Sequence, residues 1–261
     1  ILPNWAIERS SRRTLMLWWE GIPSSLRGKV WATALTSSNP TTTHLEWVGA
    51  GSSGGGGGGT AATSHGGSKK QGGRRSSSGM HSMVGAYERA IALVTPIDAT
   101  SASEAIDKAF IATPPPPELF IFSNVQSPLK DALISVLACV LASHRTGAGP
   151  PPPPAAPLLG AMLLLYMEEP KAYTSLASLA ASHCVGERPL EHDQWRLTAA
   201  ERMISRELPN TAEKLNALEV PYSAWLPNWH LSLFTSTLQL DTAARVWDCY
   251  LRDGEPLLWR V

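Results

Sequence analysis

Apolar residues recur along this chain at the three- and four-residue spacing of amphipathic helices. One stripe follows Ser127-Pro128 and consists of Leu129, Leu133, Val136, Leu137, Val140 and Leu141. A second consists of Leu240, Ala244, Trp247 and Leu251. Strict alternation of apolar and polar residues, which would indicate strands, is almost absent. The pattern therefore predicts an all-α fold made of many helices.

Capping residues and breakers predict where these helices begin and end. Ser101 and Glu104 have the spacing of a capping box and predict a helix start at residue 101. Asp241 is expected to cap the last helix, and Gly254 is expected to end it. Residues 158–167 are nearly all apolar, which predicts a buried helix.

Low-complexity stretches interrupt the helical pattern. Residues 49–79 include six consecutive glycines and almost nothing apolar to bury, so we expect a disordered Gly/Ser-rich insertion. Its glycines lack the Gly-Lys-Ser/Thr ending and the preceding strand of a phosphate-binding loop. The Pro-rich runs 114–117 and 150–154 are interpreted either as stiff loop insertions or as ligands for an SH3-like partner.

Composition excludes some classes of function. The 261 residues carry 22 basic and 22 acidic side chains, and this balance argues against a nucleic-acid-binding protein. The three cysteines lie far apart and are expected to be buried thiols in a reducing compartment. No apolar run is long enough to span a membrane. The histidines have no metal-ligand spacing, and no nucleophile-elbow pattern supports a hydrolase.

The most distinctive sequence motif is Gly21 to Trp31, with the sequence GIPxxLRGKVW. Pro23 tolerates a first helical turn, and Ser24 or Ser25 is expected to cap it. Arg27 and Lys29 fall off the apolar line of the helix, and the simplest interpretation is an amphipathic helix with a solvated cationic edge. As a string, this stretch resembles the opening motif of the TBC domain, the catalytic domain of Rab GTPase-activating proteins.

Two later blocks match the same family in order and approximate spacing. The first is Leu163 to Glu169, which is followed by Ala172 and Tyr173. The second covers Trp229–Phe234, Leu238–Asp248 and Arg252–Glu255, and it resembles the closing motif, with a Trp-Asp pair and an Asp-Gly turn. The start, ILPNW with an Arg-rich segment and Leu-Trp-Trp, is most similar to the autophagy-linked subgroup. We expect one TBC domain over 1–261, with both ends cut from a longer protein and the C-terminus truncated.

The resemblance implies a regulator of GTP hydrolysis. Its partner would be a Rab-family small GTPase, and GTP and Mg²⁺ would belong to that partner, so no cofactor is expected in this chain. Family members supply an arginine finger that neutralises charge on the phosphate and a glutamine finger that orients the water. The expected location is cytoplasmic, peripheral to endomembranes through the partner, with a role in vesicle trafficking and autophagy.

At both finger positions this sequence departs from the family. The arginine motif aligns with residues 106–113, which places Ala109 at its aspartate and Ala112 at its arginine. Counting back from Tyr166 places Ala155 at the glutamine. Alanine carries neither charge nor a side-chain donor, so neither finger can act. Arg145 is the one substitute candidate, although it is rather expected to cap the carbonyls of its own helix.

The framework of the motif, in contrast, is present. Its residues are Gly21, Ile22, Pro23, Arg27, Trp31, Trp247, Asp248 and Gly254. We predict that Arg27 contacts Asp248 and anchors the helices that carry them.

Three hypotheses about function follow. The first is a Rab GTPase-activating protein whose fingers are missing or displaced, and the second is an inactive TBC module that binds a Rab or another partner as a scaffold. The third is a helical adaptor that works through its proline runs, against which the family motifs argue. The alanines at the finger positions are either a property of the protein or an error in the gene model.

Overall fold

In this computed structural model, the described residues are 2–37, 75–182 and 194–259. Within these ranges the chain forms α-helices and short 3₁₀ helices, and no strand is present among them. The all-α fold predicted from the helical periodicity is therefore confirmed. No helix in these ranges combines the length and the apolar character that crossing a membrane requires.

The helices follow one another with short connections wherever the chain is described. The α-helices are α1 Trp5–Glu8, α2 Arg12–Glu20, α3 Ser24–Ser37, α4 Arg75–Ile91, α5 Pro96–Ala112, α6 Pro128–Arg145, α7 Ala156–Leu164, α8 Glu169–Ser182, α9 Gln194–Glu207, α10 Pro209–Ala217, α11 Leu226–Leu231 and α12 Leu240–Asp253. The 3₁₀ helices are Leu2–Asn4, Pro117–Phe122, Tyr222–Ala224 and Glu255–Trp259.

The start of α5 corrects one predicted boundary. The helix begins at Pro96, not at residue 101, and its capping box is made by Thr95 and Asp98. The Thr95 hydroxyl accepts a hydrogen bond from the Asp98 backbone N–H at 3.4 Å, and the Asp98 carboxylate accepts one from the Thr95 N–H at 2.9 Å. Proline suits the first helical turn because its missing N–H would be unpaired there anyway. Pro96 therefore starts a helix in addition to following one.

Two other terminal predictions have different outcomes. Asp241 does not cap α12: the helix begins one residue earlier, at Leu240, and its N-cap is Gln239, without a side-chain bond. The Asp241 carboxylate instead lies in the first turn, where its negative charge interacts favourably with the positive end of the helix dipole. Gly254 ends α12 as predicted, with a φ of 78° and its N–H bonded to the Tyr250 carbonyl.

The core is centred on α6 and α8. The α6 helix packs against α4, α5, α7 and α8, and α8 also contacts α3 and α4. Every residue of α7 is buried, which agrees with the predicted buried helix. The buried apolar side chains form a cluster that includes Trp5 near one end of the described chain and Leu258 near the other. This packing holds α3, α5, α7 and α12 in fixed relation.

The low-complexity segments divide between described and undescribed residues. Most of the predicted insertion at 49–79 lies outside the described residues, and its last five residues belong to α4. Cys184 also lies outside them, whereas Cys139 is a buried thiol and Cys249 is half-buried. Both proline runs are described, and each contributes a buried ring, Pro115 in one and Pro153 in the other.

Candidate functional site

The opening motif forms α3, but the buried face of this helix differs from the predicted one. Arg27 is buried, with 6% of its surface exposed, whereas Leu26 is 50% exposed. The buried positions are Arg27, Gly28, Val30, Trp31, Ala32, Ala34 and Leu35. The simpler interpretation, in which Arg27 lies on a solvated edge, is therefore wrong. An arginine is buried only when its charge is paired, and its partner comes from the other end of the chain.

That partner is Asp248, as predicted. The Arg27 Nε atom donates to Asp248 Oδ2 at 3.3 Å, and the Trp31 indole N–H donates to Oδ1 at 2.8 Å. Both donors lie on the buried face of α3, one turn apart, and the carboxylate is fully buried on α12. The Asp248 side chain thus ties the first motif to the last.

Burial and the polar partners of Asp248 act on its pKa in opposite directions, and burial has the larger effect. Burial raises the pKa of Asp248, while the hydrogen bond from Trp31 and the charge of Arg27 lower it and offset part of the rise. Arg245 contributes in the same direction as Arg27, with its Nη1 atom 3.6 Å from Oδ2. Removing one of these cations would leave a buried carboxylate with less compensation.

The same network fixes α2. The Trp18 indole N–H donates to the Asp248 backbone carbonyl at 2.7 Å, and Arg245 donates to the carbonyls of Trp18 and Trp19 at 3.0 and 3.2 Å. These acceptors include carbonyls of the last turn of α2, which have no partner inside their own helix. The Trp-Asp helix of the closing motif therefore holds α2 and α3 together.

The aromatic members of the framework stack within this junction. The ring centroids of Trp31 and Trp247 lie 5.2 Å apart, with 28° between the ring planes, and the Trp31 and Tyr166 ring centroids are 4.7 Å apart. The Trp247 indole N–H donates to the Thr235 hydroxyl at 3.0 Å. Both tryptophans are fully buried, so their role is to pack the junction.

Gly28 permits the close approach of α3 to the connection between α7 and α8. A Cβ atom at Gly28 would lie 1.9 Å from the Tyr166 carbonyl oxygen, which no side chain tolerates. At this contact the Arg27 guanidinium lies 5.7 Å from the centre of the Tyr166 ring. The glycine of the opening motif is therefore a packing requirement.

The other framework residues lie at the start of this helix and at the end of α12. Gly21 ends α2 with a φ of 108°, Ile22 is buried, and the Pro23 carbonyl accepts hydrogen bonds from the N–H groups of Leu26 and Arg27. Because α3 begins at Ser24, the predicted serine caps lie within the helix. Together with Gly254, these residues shape the helix ends around the junction.

A second region holds both finger positions. Ala112 is the last residue of α5, and Ala155 is the N-cap residue of α7. Both line one cavity of about 450 Å³, and so does Ala109, the residue at the aspartate position. The fold therefore brings together Ala112 and Ala155, which are 43 residues apart in the sequence.

The lining of this cavity is mostly apolar. It includes Pro152, Pro153 and Pro154 from the second proline run, and Asn228, Leu231, Ser232 and Ser236 from α11 and the following turn. The Ser232 and Ser236 hydroxyls bond to each other at 2.8 Å. Among the described residues that line it, none is an arginine or a glutamine, and Lys108 is the one that is charged.

Arg145 has a different partner from the one expected. Its Nη2 atom donates to Asp98 Oδ2 at 2.9 Å and to the Leu93 carbonyl, also at 2.9 Å, and not to carbonyls of its own helix. The Arg145 guanidinium is the main cause that lowers the pKa of Asp98 to about 2. Arg145 is not among the residues that line the cavity. It links the end of α6 to the start of α5.

Sequence reasoning missed three of these features. Gly28 lies inside the opening motif, so a packing role for this glycine could have been predicted. Its contact with Tyr166 could not, because that contact depends on the fold. Lys108 lies four residues before Ala112, and this helical spacing was a usable signal that both share a face. The pair of Asp98 with Arg145 has no sequence signal, because the two residues are 47 positions apart.

Comparison with known proteins identifies relatives over the whole chain. Residues 153–261 match the family model of the Rab-GTPase-TBC domain, a range that includes Ala155 and Asp248. TBC1 domain family member 12 of Xenopus tropicalis is 28% identical over all of this chain and 35% of its own length. TBC1 domain family member 14 of Homo sapiens is 26% identical, again over all of this chain and over 34% of its own length. The chain thus spans about a third of the length of these relatives.

A solved structure gives the same result for the fold. The RabGAP TBC domain of the Chlamydomonas flagellum superposes on 99% of this chain and 75% of its own, with a TM-score of 0.56 at 19% sequence identity. This likeness concerns the arrangement of the helices alone. The family match, the named relatives and the shared fold together confirm the resemblance of this chain to the TBC-domain family that its three motif blocks indicated.

Proposed function

We propose that this chain is a TBC-type module that binds a Rab-family GTPase without supplying the two fingers that accelerate GTP hydrolysis. The observation that carries the proposal is the shared cavity: Ala112 and Ala155 line it together, and no described residue around it supplies an arginine or a glutamine. The framework of the opening and closing motifs is intact around Asp248.

The chemistry explains why the cavity matters. Hydrolysis of bound GTP builds negative charge on the phosphate oxygens, and an arginine finger is worth about 10³–10⁵ in rate. An alanine methyl group cannot neutralise this charge, and it cannot hold the attacking water. Arg145 is not a substitute in this arrangement, because its guanidinium pairs with Asp98 outside the cavity lining.

The proposal also assigns what belongs to the partner. GTP and Mg²⁺ are brought by the Rab, and the chain is expected to act in the cytoplasm, at the endomembranes where its partner resides. A role as a scaffold in vesicle trafficking and autophagy fits binding without hydrolysis. An SH3-like partner for the proline runs stays a prediction, and the burial of Pro153 limits how much of the second run such a partner can reach.

The test uses a panel of Rab-family GTPases loaded with GTP. Binding of this chain to each GTPase and the rate of hydrolysis in its presence are measured on the same samples. We expect at least one Rab to bind, with hydrolysis remaining within about tenfold of its intrinsic rate. Acceleration of GTP hydrolysis by about 10³-fold or more would show that the chain is an activator and would refute the proposal that it is inactive. Absence of binding across the panel would reject a Rab partner.

A further inference from the structure

The cavity that holds both alanines contains one unpaired charge. Lys108 of α5 lines it, and no acidic side chain lines it among the described residues. Within that part of the chain, Lys108 also makes no ion pair, unlike the neighbouring Lys130, whose Nζ atom lies 2.7 Å from Asp107. Lys108 is exposed, so its charge is accessible to an anionic ligand that approaches the cavity from the surface.

Helix geometry places this cation close to the arginine position. Lys108 and Ala112 are four residues apart on α5, so they share a face and are separated by roughly 6 Å along the axis. Ser101 and Ala105 continue the same line of cavity residues toward the N-terminus. The ammonium group stands on a flexible four-carbon stem, which allows it to move within the cavity.

We propose that Lys108 contacts the γ-phosphate of the nucleotide held by the bound GTPase through this cavity, so that binding depends on that phosphate. This inference rests on the proposed function, because it takes the cavity as the face that meets the GTPase. The ligand chemistry is a polyphosphate carried by a protein, and Lys108 supplies charge without the two-pronged geometry of an arginine.

This role differs from that of a finger. A lysine placed one turn before the arginine position adds binding energy to the γ-phosphate in the bound state. It neither orients the attacking water nor clamps the phosphate bidentately. We therefore expect Lys108 to make the module prefer the GTP-bound form of its partner, without accelerating hydrolysis.

The alternative for an exposed lysine is a solvated side chain with no ligand, and the chain offers a matched case of that kind. Lys214 of α10 is exposed, carries the same charge and lies outside the cavity lining. A contribution from general positive charge would be equal for the two lysines. A contribution from the cavity would be confined to Lys108.

The experiment measures the dissociation constants of the GTPase that binds best in the panel. The GTPase is loaded either with a non-hydrolysable GTP analogue or with GDP, and it is titrated with the wild-type chain and with the variants Lys108→Gln, Lys108→Arg and Lys214→Gln. We expect Lys108→Gln to weaken binding of the GTP-analogue form by about tenfold or more, since hydrogen bonds to charged groups have that magnitude. Binding of the GDP form should change by less than about twofold.

The controls separate this inference from the proposal on which it rests. Lys108→Arg should retain most of the preference for the GTP-analogue form, and Lys214→Gln should behave as the wild type. If the wild type binds but Lys108→Gln weakens both nucleotide forms equally, or weakens neither, the role of Lys108 is rejected while Rab binding stands. If the wild type binds no GTPase of the panel, both are rejected.

Discussion

Gly28→Ala is the substitution for which the structure predicts the most definite outcome. In the middle of a helix, alanine is normally better than glycine by about 1 kcal/mol, so helix propensity alone would stabilise the protein. Here the new Cβ atom would lie 1.9 Å from the Tyr166 carbonyl oxygen and 2.8 Å from its carbon. Both atoms belong to the backbone, so no side-chain rotation relieves the contact.

The magnitude follows from how far α3 must move. Ordinary contact begins at 3.4 Å, so the two backbones must separate by about 1.5 Å, the difference from 1.9 Å. Overpacking of this kind costs about 1–3 kcal/mol, and the shift also loosens the buried pair of Arg27 with Asp248. Subtracting the gain of about 1 kcal/mol in helix propensity leaves a net loss of up to about 2 kcal/mol in the free energy of unfolding, to which the loosened ion pair adds.

Gly85→Ala is the matched control, because it makes the same change in the interior of α4. A Cβ atom there would meet only the Arg89 guanidinium, at 3.5 Å. Gly85→Ala should therefore stabilise the chain by about 0.5–1 kcal/mol. Urea unfolding of both variants, followed by circular dichroism, gives the two free energies. If Gly28→Ala is as stable as the wild type, the close approach of α3 to Tyr166 is refuted.

Two further predictions concern the ion pairs. Asp248→Asn should destabilise the chain by about 3–5 kcal/mol, because it leaves the buried Arg27 without a counter-charge. The double variant Arg27→Met/Asp248→Asn should lose less free energy of unfolding in the same urea measurement, and an additive loss would contradict the pairing. Because its pKa in the folded state is about 2, below its ordinary value of 3.8, Asp98 contributes stability above pH 4 that is lost as the pH falls toward 2. The variant Arg145→Gln should show a smaller fall in the free energy of unfolding between pH 5 and pH 2 than the wild type, and an equal fall would contradict the assignment.

How far the sequence predicts this molecule depends on the range of the interactions involved. Helix identity is a local property, so periodicity predicted the all-α fold, whereas the predicted caps Ser101 and Asp241 lie inside their helices. The burial of Arg27 could not be predicted from periodicity, because Arg27 lies off the apolar line of its helix and its partner is 221 residues away. The contact itself was nevertheless predicted from the family framework. The helix α5 begins at Pro96, before the predicted start at residue 101, because proline suits the first helical turn.

The candidate site was predictable only in part. Aligning the finger motifs gave Ala112 and Ala155 as separate positions, and their presence in one cavity depends on how α5 packs beside α7. The prediction that Arg145 caps its own helix was wrong for a related reason. A cation at a helix C-terminus usually interacts with the last carbonyls, but here the nearby capping carboxylate of α5 offers a stronger acceptor.

The central proposal is that this chain has the framework of a Rab GTPase-activating domain and lacks the two side chains that perform the chemistry. Restoring them tests it most directly. The rate of GTP hydrolysis by the Rab that binds best is measured under single-turnover conditions, with the wild-type chain and with the variant Ala112→Arg/Ala155→Gln. We expect the wild type to leave the rate near its intrinsic value and the variant to raise it by about 10³-fold or more. An equal acceleration by the wild type, or no acceleration by a folded variant that still binds the Rab, would contradict the claim.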